Sequence, residues 1–218
     1  MFRKFSKDEV SGINQVKSSV VRGIRGERER RQSRRRRPAA TAADRAPAQN
    51  QPTPQPPQKT ASLASTYPWL EESGVLDVLI PKKDPPLSVA KVGYVQVALV
   101  NGEPRFFADR DGPWFPTLRV LHQYPQIMKR VRADKGAIKF VLSGANVMCP
   151  GLTSPGATMH DELDQGEPVA VYAEGAEEAM AVGVMALSTA DVRGVNKGVG
   201  VELTHYLNDG LWKAKTLT

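Results

Sequence analysis

Apolar residues recur at helical spacing from Ile13 through Val16, Val20 and Val21 to Ile24, which predicts one amphipathic helix near the start of the chain. Ser6 and Glu9 stand ahead of it at the spacing of a capping box. The pattern then stops. Residues 25–62 hold no Val, Ile, Leu, Met, Phe, Trp, Tyr or Cys, but six prolines. Such a segment cannot bury enough apolar surface to offset an ordering entropy of roughly 1–2 kcal/mol per residue, and it is expected to be disordered. A helix as short as the first is marginal alone. Its stripe therefore predicts a partner beyond the polar segment, in a first domain split by an insertion.

Patterning resumes after residue 62. Residues 68–80 read as short helices interrupted near Gly74 and stopped by Pro81. Residues 94–100 alternate as a strand, Asn101-Gly102 is a hairpin signal, and residues 105–108 return. Thr117 is placed to cap a short helix carrying Leu118 and Leu121. Further on, Asp134 caps a helix running to Ser143, with Ile138, Val141, Leu142 and Ala145 on its core face and Gly144 at the left-handed position beyond its end. Strands are predicted over residues 147–149, 168–173, 179–187, 199–203 and 211–215. Ser188 and Asp191 form a second capping box, and Asn208-Asp209-Gly210 is the turn before the last strand. The fold class is α+β. A small split N-terminal α+β domain (residues 1–24 plus 63–131) and the disordered Arg/Pro-rich insertion (25–62) precede a mixed β-barrel with short helices (132–218).

Charge changes this picture only once it is placed. The chain carries a formal +7, and residues 25–62 alone supply that excess with nine Arg and one Lys against three acids. The last 87 residues are acidic by four charges. Arg34, Arg35, Arg36 and Arg37 form a nuclear-localisation or nucleic-acid patch, with a solvated linker as the plainer alternative. The Arg-rich start invites a mitochondrial presequence, against which Asp8, Glu9, Glu27 and Glu29 count.

Few residues are spaced for chemistry. One cysteine excludes an internal disulfide and a cysteine-built zinc site, and Cys149 reads as a buried structural thiol. His122, His160 and His205 have no ligand spacing, and Asp161, Glu162 and Asp164 lack the layout of a calcium loop. The glycine-rich stretch 194–200 lacks the ending of a phosphate loop. No nucleophile, base and orienter come together, and neither a metal nor a cofactor is expected. Phe140 stands out: at about 200° from Ile138 around a helix it points away from the core face, as either an interdomain contact packed on the N-terminal domain or an anchor for a partner.

Residues 136–152 (GAIKFVLSGANVMCPGL) resemble the PUA fold, an RNA-binding module: a helix, Gly-Ala, then a strand ending in Pro-Gly. Met1 to Phe5, PKKDP at 81–85, GPWFPTLR at 112–119, LHQYP at 121–125 and HYLNDGLW at 205–212 extend the likeness to the malignant T-cell-amplified sequence family, over both domains in order. Residues 25–62 depart from the family pattern. They are either a lineage-specific insertion or translated intron sequence, which sequencing the transcript distinguishes.

The resemblance implies a cytoplasmic, non-catalytic factor that works with density-regulated protein on the small ribosomal subunit, in removal of deacylated tRNA (recycling) and in translation reinitiation. The N-terminal domain is expected to dock on ribosomal RNA, and the PUA domain to hold the tRNA acceptor end. Because the second half is acidic, phosphate binding needs local clusters. The RNA contacts expected are Lys135, Gly144, Ala145, Asn146, Met148, Pro150, Gly151, Lys197 and Lys213, with the bare backbone at Gly144 and Gly151 letting RNA approach. Arg3, Lys4, Lys7, Lys82 and Lys83 are the ribosome-docking candidates, and Phe140 the anchor for density-regulated protein. A PUA protein associated with tRNA or rRNA modification, and a nuclear RNA-binding adaptor driven by the arginine cluster, remain as alternatives.

Overall fold

The computed structural model describes residues 10–26, 62–109 and 112–217. Ser6, Glu9 and the cluster Arg34 to Arg37 lie outside the described residues, as do Arg3, Lys4 and Lys7. Strand β1 (Val10–Gln15) leads into helix α1 (Ser18–Arg25). Three short helices follow, α2 (Leu63–Thr66), α3 (Pro68–Glu72) and α4 (Val75–Leu79). They precede β2 (Leu87–Val92), β3 (Val95–Val100), β4 (Glu103–Asp109) and β5 (Phe115–Pro116). The five strands form an antiparallel meander in sequence order. Asn101 and Gly102 both take positive φ between β3 and β4, as a two-residue hairpin requires.

The first prediction therefore needs correction. Residues 10–15 are a strand, and the helix begins only at Ser18. Ile13 and Val20 are exposed, whereas Val21 and Ile24 enter the core. The backbone of β1 finds its partners on β2, over seventy residues away in sequence, with Ile13 opposite Ala90 and Asn14 opposite Val89. Arg25, which composition assigns to the polar segment, instead closes α1 and is buried, donating to the carbonyls of Leu76 and Ile80 and to Asp77 Oδ1.

Helix α5 (Leu118–Gln123) and a single 3-10 turn at Pro125–Ile127 lead to the second sheet. Its elements are β6 (Arg130–Ala133), α6 (Lys135–Leu142), β7 (Val147–Met148), α7 (Pro150–Thr153), β8 (Thr158–Met159), β9 (Pro168–Ala173), β10 (Ala179–Met185), α8 (Thr189–Val195), β11 (Val199–Tyr206) and α9 (Gly210–Lys213). The strand order is β7-β11-β10-β9-β6-β8, with only β6 and β9 parallel among neighbours. Thr117 does not cap α5 through its side chain; its hydroxyl donates to Pro104 O at 3.2 Å and ties α5 to β4. Residues 211–215 are not a strand. Asp209 accepts from Trp212 N at 2.8 Å and starts α9 instead.

The two sheets share apolar contacts. Ala170, Tyr172, Ala179 and Val182 of the second sheet join the core of the first, and so do Leu211, Ala214 and Leu217 from the end of the chain. Leu217 N donates to Gly102 O at 2.8 Å, so the last residues strap back over the β3–β4 hairpin. His205 is fully buried at this junction, donating Nδ1–H to Asp209 Oδ2 at 2.7 Å and meeting Phe107 of β4 edge-on at 5.5 Å.

Candidate nucleic-acid interface

Helix α6 is built locally as its sequence suggests. Asp134 Oδ1 accepts from Ala137 N at 3.1 Å, and Gly144 takes φ +83° just past its end. Its buried face is narrower than periodicity implies. Val141 is fully buried, Ile138 is half-buried, and Leu142 and Ala145 are exposed. The helix packs against β7, β11 and β10 through a narrow face, and its other flank stays open.

That open flank forms one wall of a groove of about 580 Å³, with β7 and α7 opposite. Asp134, Gly136, Ala137, Phe140, Val141, Ala145, Asn146, Val147, Met148, Pro150, Gly151, Ser154 and Val199 line it. Phe140 is 54% exposed and Met148 49%, so two large apolar side chains stand open to solvent in one concavity. An exposed aromatic in a groove is a stacking platform for an unpaired base, which presents a π-face whatever its identity.

Five of the expected RNA contacts meet here: Ala145, Asn146, Met148, Pro150 and Gly151. Phe140, expected as a protein anchor, stands among them. Cys149 does not continue β7. It takes helical backbone ahead of α7, buried, with Sγ donating to Lys197 O at 3.4 Å. Asn146 commits its side-chain oxygen to Leu203 N at 3.0 Å, which pins the α6–β7 loop to β11.

The two glycines are also sites of close packing. A methyl at Gly144 would stand 2.7 Å from Tyr206 Oη, and one at Gly151 would stand 3.0 Å from Ala137 Cβ. The space left by the missing side chains is filled from within, by Tyr206 at one position and by α6 at the other. The missing side chains let Tyr206 and α6 pack closely at these positions, and Gly151 also lines the groove.

Lys135 and Lys139 are exposed on α6, and Lys139 Nζ lies 4.9 Å from the Phe140 ring centroid. Lys197 follows Asn196, whose Oδ1 accepts from Thr153 Oγ1 at 2.7 Å, so it is held beside α7. None of these three lysines makes an ion pair among the described residues. Arg193, by contrast, is committed to Glu162 at 2.9 Å and to Met159 O at 2.8 Å. That guanidinium, with the Thr189 hydroxyl, holds the Glu162 carboxyl below the usual range. Lys213 is not part of the groove. It sits on α9 beyond the far end of β11, a strand whose ~3.3 Å rise per residue sets the two ends roughly 20 Å apart. Lys82 and Lys83 are exposed together after α4, with Lys82 3.7 Å from Asp77.

Among the described residues no three His, Cys, Asp or Glu gather as a metal site, and no helix is long and apolar enough to cross a membrane.

Residues 121–210 match the family model described as elF2D, PUA domain, and residues 60–125 match the Pre-PUA-like domain. Malignant T-cell-amplified sequence 2 of Mus musculus is 43% identical over 217 residues, covering 99% of each chain. The Malignant T-cell-amplified sequence 1 homolog of Drosophila melanogaster is 45% identical over 218 residues, covering 99% of this chain and 98% of its own. Among solved structures, a hypothetical protein of Pyrococcus horikoshii aligns with a TM-score of 0.62 at 20% identity, over 94% of this chain and 99% of its own. A PUA domain of Aeropyrum pernix, solved as a tartrate complex, aligns with a TM-score of 0.51 at 26% identity, over 62% of this chain and 77% of its own.

Proposed function

The chain belongs to the malignant T-cell-amplified sequence family, and from that membership we propose that it is a non-catalytic translation factor holding the single-stranded acceptor end of tRNA in the α6–β7–α7 groove. It acts with density-regulated protein on the small ribosomal subunit, in removal of deacylated tRNA and in reinitiation. The observation that carries this is the pairing of Phe140 and Met148, both open to solvent in one groove, with Lys135, Lys139 and Lys197 exposed near it.

The physics of such a grip is local. The second half of the chain is net acidic, so its overall field repels phosphate. Lys135, Lys139 and Lys197 supply positive charge only around the groove, where an RNA end would release counterions on binding. The apolar wall rewards unstacked bases and not a duplex, whose bases are already stacked. This favours a 3′ end over a helix stem. Density-regulated protein docks on the exposed flank of α6 that carries Phe140, next to the groove. Lys82 and Lys83, exposed side by side on the first domain, are the proposed contacts to ribosomal RNA.

Ribosome profiling of cells lacking the protein tests this reading. Small subunits are expected to accumulate at stop codons with tRNA retained. An unchanged distribution after complete loss contradicts it.

A further inference from the structure

A second cleft, also of about 580 Å³, lies at the junction of the two sheets near the end of β11 opposite the groove. Arg105, Arg119, His122, Glu178, Trp212 and Lys215 are among its lining residues. The Arg119 guanidinium lies 4.5 Å from the Trp212 ring centroid and donates to Trp212 O through one terminal nitrogen. Arg105 pairs through a terminal nitrogen with Glu103 at 2.8 Å. Each guanidinium nevertheless keeps an Nε–H that is buried and has no hydrogen-bond partner among the described residues. Buried donors of charged groups are rarely left unsatisfied, because desolvation without an acceptor is costly. Two such donors belong to residues of one cleft, with the exposed Lys215 ammonium, itself without an ion pair among the described residues, also on its wall.

We propose that this junction cleft is a phosphate site. The guanidinium groups of Arg105 and Arg119, which hold donors without acceptors among the described residues, bind phosphate oxygens, Lys215 supplies the third cation, and the Trp212 ring walls one side. Arginine suits this because its fork offers several donors to a tetrahedral oxyanion. Two carboxylates line the cleft and both are engaged: Glu103 on Arg105, and Glu178 at 3.5 Å from His122 Nδ1, 72% exposed and so able to turn outward. His122 is tied by Nε2 to Ala179 O at 2.8 Å and fixes the floor. The phosphate belongs either to a small anion or nucleotide, or to the backbone of an RNA reaching past the groove.

The test uses the full chain and two probes. Tryptophan fluorescence is titrated with inorganic phosphate against sodium chloride at matched ionic strength, and anisotropy follows a short single-stranded RNA. The proteins are wild type, the exposed single variant Lys215→Gln and the double variant Arg105→Gln/Lys215→Gln, with melting measured on each. Saturable phosphate binding, weakened at least tenfold in the double variant and partly in Lys215→Gln, supports a small-anion site. No phosphate response beyond chloride, with RNA affinity at least threefold lower in both variants, supports a phosphodiester site. No phosphate response and unchanged RNA affinity in the folded Lys215→Gln variant overturn the proposal. Wild type that binds phosphate but no RNA would instead count against the groove.

Discussion

Gly144 lies against the ring of Tyr206, so closely that a methyl group at residue 144 would stand 2.7 Å from the tyrosine oxygen and 2.8 Å from ring carbons. Tyr206 is itself buried between the end of α6 and the sheet. Gly144→Ala must therefore move a packed ring and also hold a side chain at φ +83°. The expected cost is about 2–4 kcal/mol of stability. Chemical denaturation checks it. Loss of RNA affinity in a variant as stable as wild type would reverse the assignment of Gly144 to packing.

Phe140 contributes little to the core, being 54% exposed. Phe140→Asp should change stability by no more than about 0.5 kcal/mol while abolishing capture of density-regulated protein in a pull-down. Retained capture would move the partner interface off α6.

Lys197 and Lys213 separate two versions of the RNA contact. Lys197→Glu is expected to weaken binding of a single-stranded tRNA end and to lower the slope of log affinity against log salt by about one. Lys213→Glu is expected to leave that binding unchanged. Equal effects would mean that RNA runs the whole length of β11.

Asp77 gives a pH prediction. Its carboxyl is held below the usual range chiefly by the hydrogen bond from Arg25, with weaker help from the charges of Arg25 and Lys82 against a desolvation that opposes them. A lowered folded value means stability that is present above the unfolded value of about 4 and is lost as pH falls through the folded one. Asp77→Asn removes this contribution. The difference in Tm between wild type and variant should be largest near neutrality and should shrink below about pH 4. A difference independent of pH would contradict an ionic role.

Arg25 is a buried cation whose acceptors lie fifty residues ahead, at Leu76, Asp77 and Ile80. Arg25→Met strands those carbonyls and is expected to cost about 2–4 kcal/mol. A Tm unchanged from wild type would show that α1 is held by its apolar face alone.

Features written in local chemistry were legible in the sequence. Asp134 caps α6, Ser188 accepts from Asp191 N at 3.1 Å, and Asn101-Gly102 turns the hairpin, because each depends on residues within a few positions. β1 was not legible. A helical spacing of apolar residues runs through Ile13 and Val16, and only pairing with β2 decides against it. β2 and β6 were missed outright, although residues 87–92 alternate, because each acquires its meaning from a distant neighbour. Asp209 carried a usable signal for α9, a cap residue followed by Gly and two large apolar residues, which apolar content alone obscured. At the groove, periodicity pointed Phe140 outward, but its meeting with Met148 depends on how β7 and α7 turn. The Nε–H groups of Arg105 and Arg119, without partners among the described residues, come together only in three dimensions.

The most direct measurement places a photoreactive nucleotide at the 3′ end of a deacylated tRNA, crosslinks it to the full-length protein on small ribosomal subunits, and maps the adduct by mass spectrometry. The groove account predicts adducts within residues 140–151, at Phe140 or Met148, lost on competition with unlabelled acceptor-end RNA. Adducts confined to the first domain, or to α9, would contradict it.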